Sequence, residues 1–116
     1  KCTKNFLLTS GDDLTSVDFI LRGGEGVISV ASHVIPREFR SLIDLARAGE
    51  KKSSKQILHY KKLIDLLFSE ANPIPVKMAL YLMGVIDTPE LRLPLVKLSP
   101  EKMVPLKKEL LKQRLI

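Results

Sequence analysis

Short apolar runs and helix-like periodicity alternate in the first half of the chain. Phe6-Leu7-Leu8-Thr9 is an apolar run followed by Ser10-Gly11-Asp12-Asp13, which predicts a buried strand and then a loop. Asp13 is placed to cap the next helix. The apolar face of that helix has spacings of three and four, at Leu14, Val17 and Leu21. The pair Gly23-Gly24 ends it.

A second strand and helix follow in the same order. The β-branched run Gly26-Val27-Ile28-Ser29-Val30-Ala31 lacks clean alternation, as expected for a parallel strand covered on both faces. Pro36 suits the first turn of a helix, and Gly49 ends it. The apolar stripe of this helix is Phe39, Leu42, Ile43 and Ala46. Residues 6–49 therefore predict strand–helix–strand–helix, the order of a parallel sheet with crossover helices.

Only helices are predicted after Gly49. A long helix is expected from about Lys51 to Glu70, and Asn72-Pro73-Ile74-Pro75 breaks it. A short helix at Val76–Met83 ends at Gly84, and residues 85–98 form an extended connection. Ser99-Pro100 starts the final helix. The apolar stripes of the first and last of these helices are Ile57, Tyr60, Ile64 and Leu67, and Met103, Leu106 and Leu110.

These elements predict an α/β fold that is incomplete by itself. Two parallel strands leave open edges, and a (β/α)8 TIM barrel needs about 250 residues. We therefore expect a C-terminal fragment of such a barrel, with its last two βα units at 1–49 and a three-helix C-terminal domain at 50–116. The first residue, Lys rather than Met, agrees with this expectation. The isolated fragment is expected to self-associate through residues 6–47 or to be poorly soluble.

Composition narrows the class of protein further. Cys2 is the single cysteine, so no internal disulfide is possible and a cytoplasmic protein is expected. No membrane span is expected. The net charge of +6 is uneven, because residues 51–116 hold thirteen Lys or Arg against six Asp or Glu. That surplus allows a basic helical binding module as an alternative function, but no aromatic platform or recognition helix points to nucleic acid.

The loops that follow the two strands are the candidate site. Ligands of α/β folds bind at the carboxyl ends of strands, so Ser10-Gly11-Asp12-Asp13 and Ala31-Ser32-His33 are expected to face a pocket lined by backbone groups. An ordinary turn, with Gly11 at positive φ and Asp13 as helix cap, explains the first loop equally well.

Other candidates for chemistry are weaker. Asp12 and Asp13 are adjacent, and adjacent carboxyls in a turn seldom converge on one substrate. His33 follows the end of the second predicted strand, where catalytic residues of barrels usually lie, but the sequence identifies no Ser, Cys or acid partner for it. His59 is expected at the surface. Gly23-Gly24-Glu25-Gly26 lies after a helix and before a strand, the reverse of a phosphate-binding loop. The two histidines and the cysteine do not have metal-ligand spacing.

The two predicted strands offer no candidate for a Schiff-base lysine. Such a lysine must lie in a dry pocket to lose its proton near neutral pH, which in a barrel means a strand position. Neither predicted strand contains a lysine. If the parent enzyme uses one, these residues do not include it.

Four motifs in order resemble the C-terminal part of the dihydrodipicolinate synthase family. They are Ser10-Gly11-Asp12-Asp13, the segment from Gly23 to Val30, Asn72-Pro73-Ile74-Pro75-Val76-Lys77, and Leu91-Arg92-Leu93-Pro94-Leu95. The resemblance implies a lyase that condenses pyruvate with L-aspartate-4-semialdehyde on a lysine Schiff base, in lysine and diaminopimelate biosynthesis. It also implies a homo-oligomer, usually a tetramer, without an organic cofactor.

The resemblance assigns few functional residues to this chain. Ile28 matches a pyruvate-contact position and Gly11 a position lining the same pocket, both through the backbone; the catalytic lysine and tyrosine of the family lie before residue 1. Arg22 departs from the apolar residues common where dimers of the family meet. Another Schiff-base aldolase of the superfamily, such as an N-acetylneuraminate lyase, remains the nearest alternative.

Overall fold

The chain divides into two compact units, of which the first ends at His59 and the second is Tyr60–Ile116. The structure is a computed structural model and describes residues 6–116, so Cys2 lies outside the described part. The elements of the first unit are β1 (Thr9–Ser10), α1 (Ser16–Leu21), β2 (Gly26–Val27), α2 (Pro36–Arg47) and α3 (Ser53–Gln56). Those of the second are α4 (Lys61–Leu67), α5 (Ile74–Leu82) and α6 (Pro100–Lys112).

The predicted parallel strand pair is present. β1 and β2 pair in parallel, with Thr9 opposite Gly26 and Ser10 opposite Val27. The hydrogen-bond ladder extends past both ends, because Glu25 N–H donates to Leu8 O at 2.8 Å and Ile28 N–H donates to Ser10 O at 2.9 Å. This pairing confirms the βα reading of the first half.

The strands are shorter and more exposed than predicted. Phe6, Leu7 and Leu8 precede β1 and are 59%, 72% and 44% exposed, and Ile28 beyond β2 is 77% exposed. The prediction of buried strands at 6–9 and 26–31 was wrong for this chain. A parallel strand is buried when neighbouring strands and helices cover it. Among residues 6–116 each strand has one strand neighbour.

The α1 and α2 helices pack together as the core of the first unit. All four residues of the predicted α2 stripe are buried. Gly23 and Gly49, which end the two helices, both have a positive φ. Gly24 lies against Phe19, since a Cβ atom on it would be 2.2 Å from the Phe19 ring. The glycines before β2 therefore serve the helix–strand turn, as the sequence indicated.

The expected long helix from Lys51 to Glu70 is interrupted. α3 passes into a 3₁₀ turn at Ile57–Tyr60, and α4 then begins at Lys61. Ile57 and Leu63 are both buried although six residues separate them. The prediction of one long helix was wrong, because the hydrogen-bond pattern changes from α to 3₁₀ at Ile57–Tyr60.

In the second unit α6 packs against both α4 and α5. Leu106 and Leu110 of the predicted α6 stripe are buried, and Gly84, just past α5, has a positive φ. Ser99, immediately before α6, donates from its hydroxyl to Glu70 Oε1 at 2.6 Å. The connection from residue 85 to 98 contains neither helix nor strand, as predicted. The Asn72–Pro73 and Leu93–Pro94 peptides are cis.

Candidate functional site

The candidate site is the edge of the β1–β2 pair where both strands end. Because the strands are parallel, the loop after Ser10 and the segment after Val27 leave the sheet at the same edge. Gly11 and Ile28, the two predicted substrate-binding positions, directly follow the strands, and both are exposed. Neither residue is covered by other described residues of this unit.

Asp12 fixes the first of these loops locally. Its Oδ1 accepts hydrogen bonds from Thr15 N–H at 2.8 Å and from the Thr15 hydroxyl at 2.7 Å. The Thr15 hydroxyl lowers the pKa of Asp12 below its ordinary value of 3.8, and the Thr15 amide adds to this effect. Ser10 Oγ also accepts from Asp12 N–H at 3.2 Å. The loop is thus closed by polar contacts immediately before α1.

We expect Thr15→Val to raise the pKa of Asp12 towards 3.8, because the hydroxyl donor is removed. In the parent chain the lowered pKa means that the Asp12 contribution to stability is present above about pH 4 and is lost as the pH falls through the folded pKa. Carboxyl carbon NMR titration measures the change. Ser54→Ala is the control, since Ser54 donates to Asp18 instead. An Asp12 pKa that is the same in Thr15→Val and the parent chain would refute this role of the hydroxyl.

Asp13 joins the two loops rather than capping α1. Its side chain is 1% exposed, and Oδ2 accepts from Val30 N–H at 3.1 Å and from Ala31 N–H at 2.8 Å. These amides lie at the start of the 3₁₀ turn Ala31–His33. The prediction that Asp13 caps the following helix was wrong. Neighbouring side chains leave the chain in different directions, and Asp12 is the one directed at Thr15.

The ordinary-turn explanation of Gly11 also needs correction. Gly11 is not among the glycines with positive φ, and a Cβ atom there would meet nothing within 4 Å. Neither backbone conformation nor crowding thus explains a glycine at this position. The second loop is held by its own contacts, because Ser29 Oγ accepts from Ser32 N–H at 2.8 Å.

The remaining sequence candidates are not brought together. Asp12 bonds to Thr15 and Asp13 to Val30 and Ala31, so the two carboxyls do not form an acid–base pair. His33 is exposed, with Nδ1 3.1 Å from Val30 O, and His59 is exposed as predicted. Within residues 6–116 no cluster of three His, Cys, Asp or Glu could hold a metal. No helix of the described part has the length and apolarity needed to cross a membrane.

An open cleft of about 310 Å³ lies beside β2 in the first unit. Gly26, Val27 and Ser29 form one wall, and Phe39 and Ile43 of α2 contribute apolar surface. The exposed ion pair between Arg40 and Asp44, with 2.8 Å between Nε and Oδ2, lies at the same cleft. A ligand site usually has a few polar groups that converge on one point. The groups of this cleft instead resemble a sheet face that another element covers.

A parallel strand pair with crossover helices, and loops that meet at its carboxyl edge, defines part of an α/β protein. The chain matches the dihydrodipicolinate synthetase family over residues 1–114. It therefore belongs to that family, and the resemblance carried by the four motifs is confirmed. The sequence did not predict the hydrogen bonds that join Asp13 to Val30 and Ala31. Their only signal in the sequence was a second acid in the loop after the first strand.

Individual relatives show how much of a whole protein the chain represents. The 4-hydroxy-tetrahydrodipicolinate synthase of Bdellovibrio bacteriovorus is 50% identical over 112 residues, which are 96% of this chain and 38% of that protein. The crystal structure of dihydrodipicolinate synthase from Aquifex aeolicus matches with a TM-score of 0.92 at 39% identity, over 97% of this chain and 39% of that one. The Acinetobacter baumannii dihydrodipicolinate synthase, a chloride-inhibited enzyme complexed with pyruvate, matches with a TM-score of 0.89 at 37% identity, over 96% of this chain and 38% of that one. The chain thus spans well under half the length of these relatives.

Proposed function

We propose that this chain is the C-terminal part of a 4-hydroxy-tetrahydrodipicolinate synthase. The whole enzyme condenses pyruvate with L-aspartate-4-semialdehyde through a lysine Schiff base, on the route to diaminopimelate and lysine. The observation that carries the proposal is 50% identity to such a synthase along 96% of the chain. The two βα units would be the last two of a (β/α)8 barrel, with α4, α5 and α6 in a C-terminal helical extension.

The Schiff-base lysine would be contributed by residues outside these 116. Each lysine from residue 6 onwards is exposed or half-buried, and neither β1 nor β2 contains one. Lys77 is half-buried, whereas the other described lysines are exposed, and its Nζ donates to the backbone carbonyl of Glu90. A lysine that forms a Schiff base needs a dry environment that lowers its pKa. The chain alone is therefore proposed to be inactive.

This chain would contribute backbone groups that contact pyruvate in the active site. Ile28 N–H already donates to Ser10 O in the ladder, so we assign the contact at this position to the Ile28 carbonyl. Gly11 would line the same pocket from the other strand end. Pyruvate is bound in the related Acinetobacter baumannii enzyme, which supports this substrate. Assembly into a homo-oligomer is proposed as well.

The proposal is tested with the full-length protein that carries this segment. It should consume L-aspartate-4-semialdehyde only when pyruvate is present, and the product can be followed by coupling to the next reductase. N-acetylneuraminate, offered alone, should not be cleaved to pyruvate. Cleavage of that sugar without condensation of the semialdehyde would instead support the N-acetylneuraminate lyase alternative.

A further inference from the structure

Asp13 is a buried acid to which the function proposed above gives no role, and its side chain does not cap α1. It lies between the two loops of the candidate site, two residues after Gly11 and hydrogen-bonded to the backbone two and three residues after Ile28. Its backbone carbonyl is also held, since the Ser16 hydroxyl donates to it at 2.7 Å. The backbone carbonyl of Asp13 is therefore bound to α1, and its carboxylate to the segment after β2.

We infer that Asp13 is a positioning residue for the pyruvate pocket, which sets the distance between the Gly11 and Ile28 backbones by holding Val30 and Ala31 N–H. This inference rests on the function proposed above. β1 and β2 are only two residues long, and the last hydrogen bond of the ladder runs from Ile28 N–H to Ser10 O, so the ladder does not join the two loops beyond Ile28. The link through Asp13 spans 17 and 18 residues of sequence and joins the loops after the ladder has ended.

The form of this contact indicates what a replacement must retain. One carboxyl oxygen, Oδ2, accepts both amide hydrogens. The other, Oδ1, is buried and makes no hydrogen bond within the described residues. An amide side chain of the same length can present one oxygen to the same two donors. The positioning role therefore needs an acceptor at this place more than it needs a charge.

The test measures steady-state kinetics of the full-length enzyme for Asp13→Ala and Asp13→Asn. We expect Asp13→Ala to raise the KM for pyruvate by about tenfold or more. A displacement of about 1 Å in a site can lower catalytic efficiency by up to about a hundredfold. Asp13→Asn should stay within about threefold of wild type, because the acceptor is retained. Such a rescue distinguishes positioning of the loops from a requirement for the charge.

Glu109→Gln is the matched control, because Glu109 is also a buried acid, 2% exposed, but lies on α6 of the second unit. It should lower thermal stability and leave the KM for pyruvate unchanged. An Asp13→Ala enzyme that behaves in the same way overturns the inference, because its role is then structural only. If Asp13→Ala does not fold, Asp13→Glu replaces it: a longer side chain displaces the acceptor, so its KM should exceed that of Asp13→Asn. Equal KM values in wild type, Asp13→Asn and Asp13→Glu overturn the inference too.

The same assay separates the two levels of the proposal. A wild-type enzyme that does not condense pyruvate contradicts the proposed function, and the inference fails with it. An active wild type whose KM for pyruvate is insensitive to Asp13 contradicts the inference alone.

Discussion

Leu110→Ala should destabilise the chain by about 2–5 kcal/mol, the usual cost of removing a fully buried leucine side chain. Leu110 is 0% exposed and lies on α6, the helix that packs against both α4 and α5. The lost term combines apolar burial with the cavity left among these helices. Urea unfolding followed by far-ultraviolet circular dichroism, at one fixed protein concentration, measures the change.

The neighbouring residue provides the control for this measurement. Leu111 is on the same helix but 53% exposed. Leu111→Ala should change the free energy of unfolding by less than about 0.5 kcal/mol. Equal effects of the two substitutions would show that α6 does not bury the face described above.

The isolated chain should sediment as a species heavier than its 13.0 kDa monomer. Phe6, Leu7, Leu8 and Ile28 are exposed beside a two-stranded parallel pair with open edges. Covering a side chain of this size is worth about 1.5–3 kcal/mol, and open edges offer unpaired backbone groups. In the whole enzyme we propose that the rest of the barrel covers these groups. In the isolated chain a second copy takes that place.

A charge placed on this surface should shift sedimentation towards the monomer. Ile28→Lys introduces it at a position that is 77% exposed, so the fold of one copy tolerates it. Val96→Lys is the matched control. Val96 is, like Ile28, an exposed β-branched apolar residue, at 63%, but it lies outside residues 6–47. A parent chain that is monodisperse and melts cooperatively as a monomer would contradict the account of an incomplete barrel.

Elements with a strong local signal were predictable from the sequence. α2 has proline at its start, a four-residue apolar stripe and glycine after its end, and the structure places it at Pro36–Arg47. α6 was equally clear from Ser99-Pro100. The parallel pairing of the strands followed from the order of elements. For the two helices neighbouring residues decide the outcome, so a short stretch of sequence carries the information.

Features that depend on distant neighbours were not predictable in the same way. The exposure of Leu7 and Ile28 depends on what covers the strands, which their own sequence does not state. The 3₁₀ turn at Ile57–Tyr60 interrupts a stretch whose apolar periodicity is that of one continuous helix. The contact of Asp13 with Val30 and Ala31 joins residues from two loops, and it required the sheet register.

The most direct test of the central claim is the intact mass after incubation with pyruvate and borohydride, which reduces a Schiff base to a stable adduct. The 116-residue chain and the full-length protein that contains it should be treated in parallel. The account predicts that the chain stays unmodified and that the full-length protein gains one reduced pyruvyl group, on a lysine outside these residues. A pyruvyl adduct on a lysine of the chain, or a full-length protein that gains none, would contradict it.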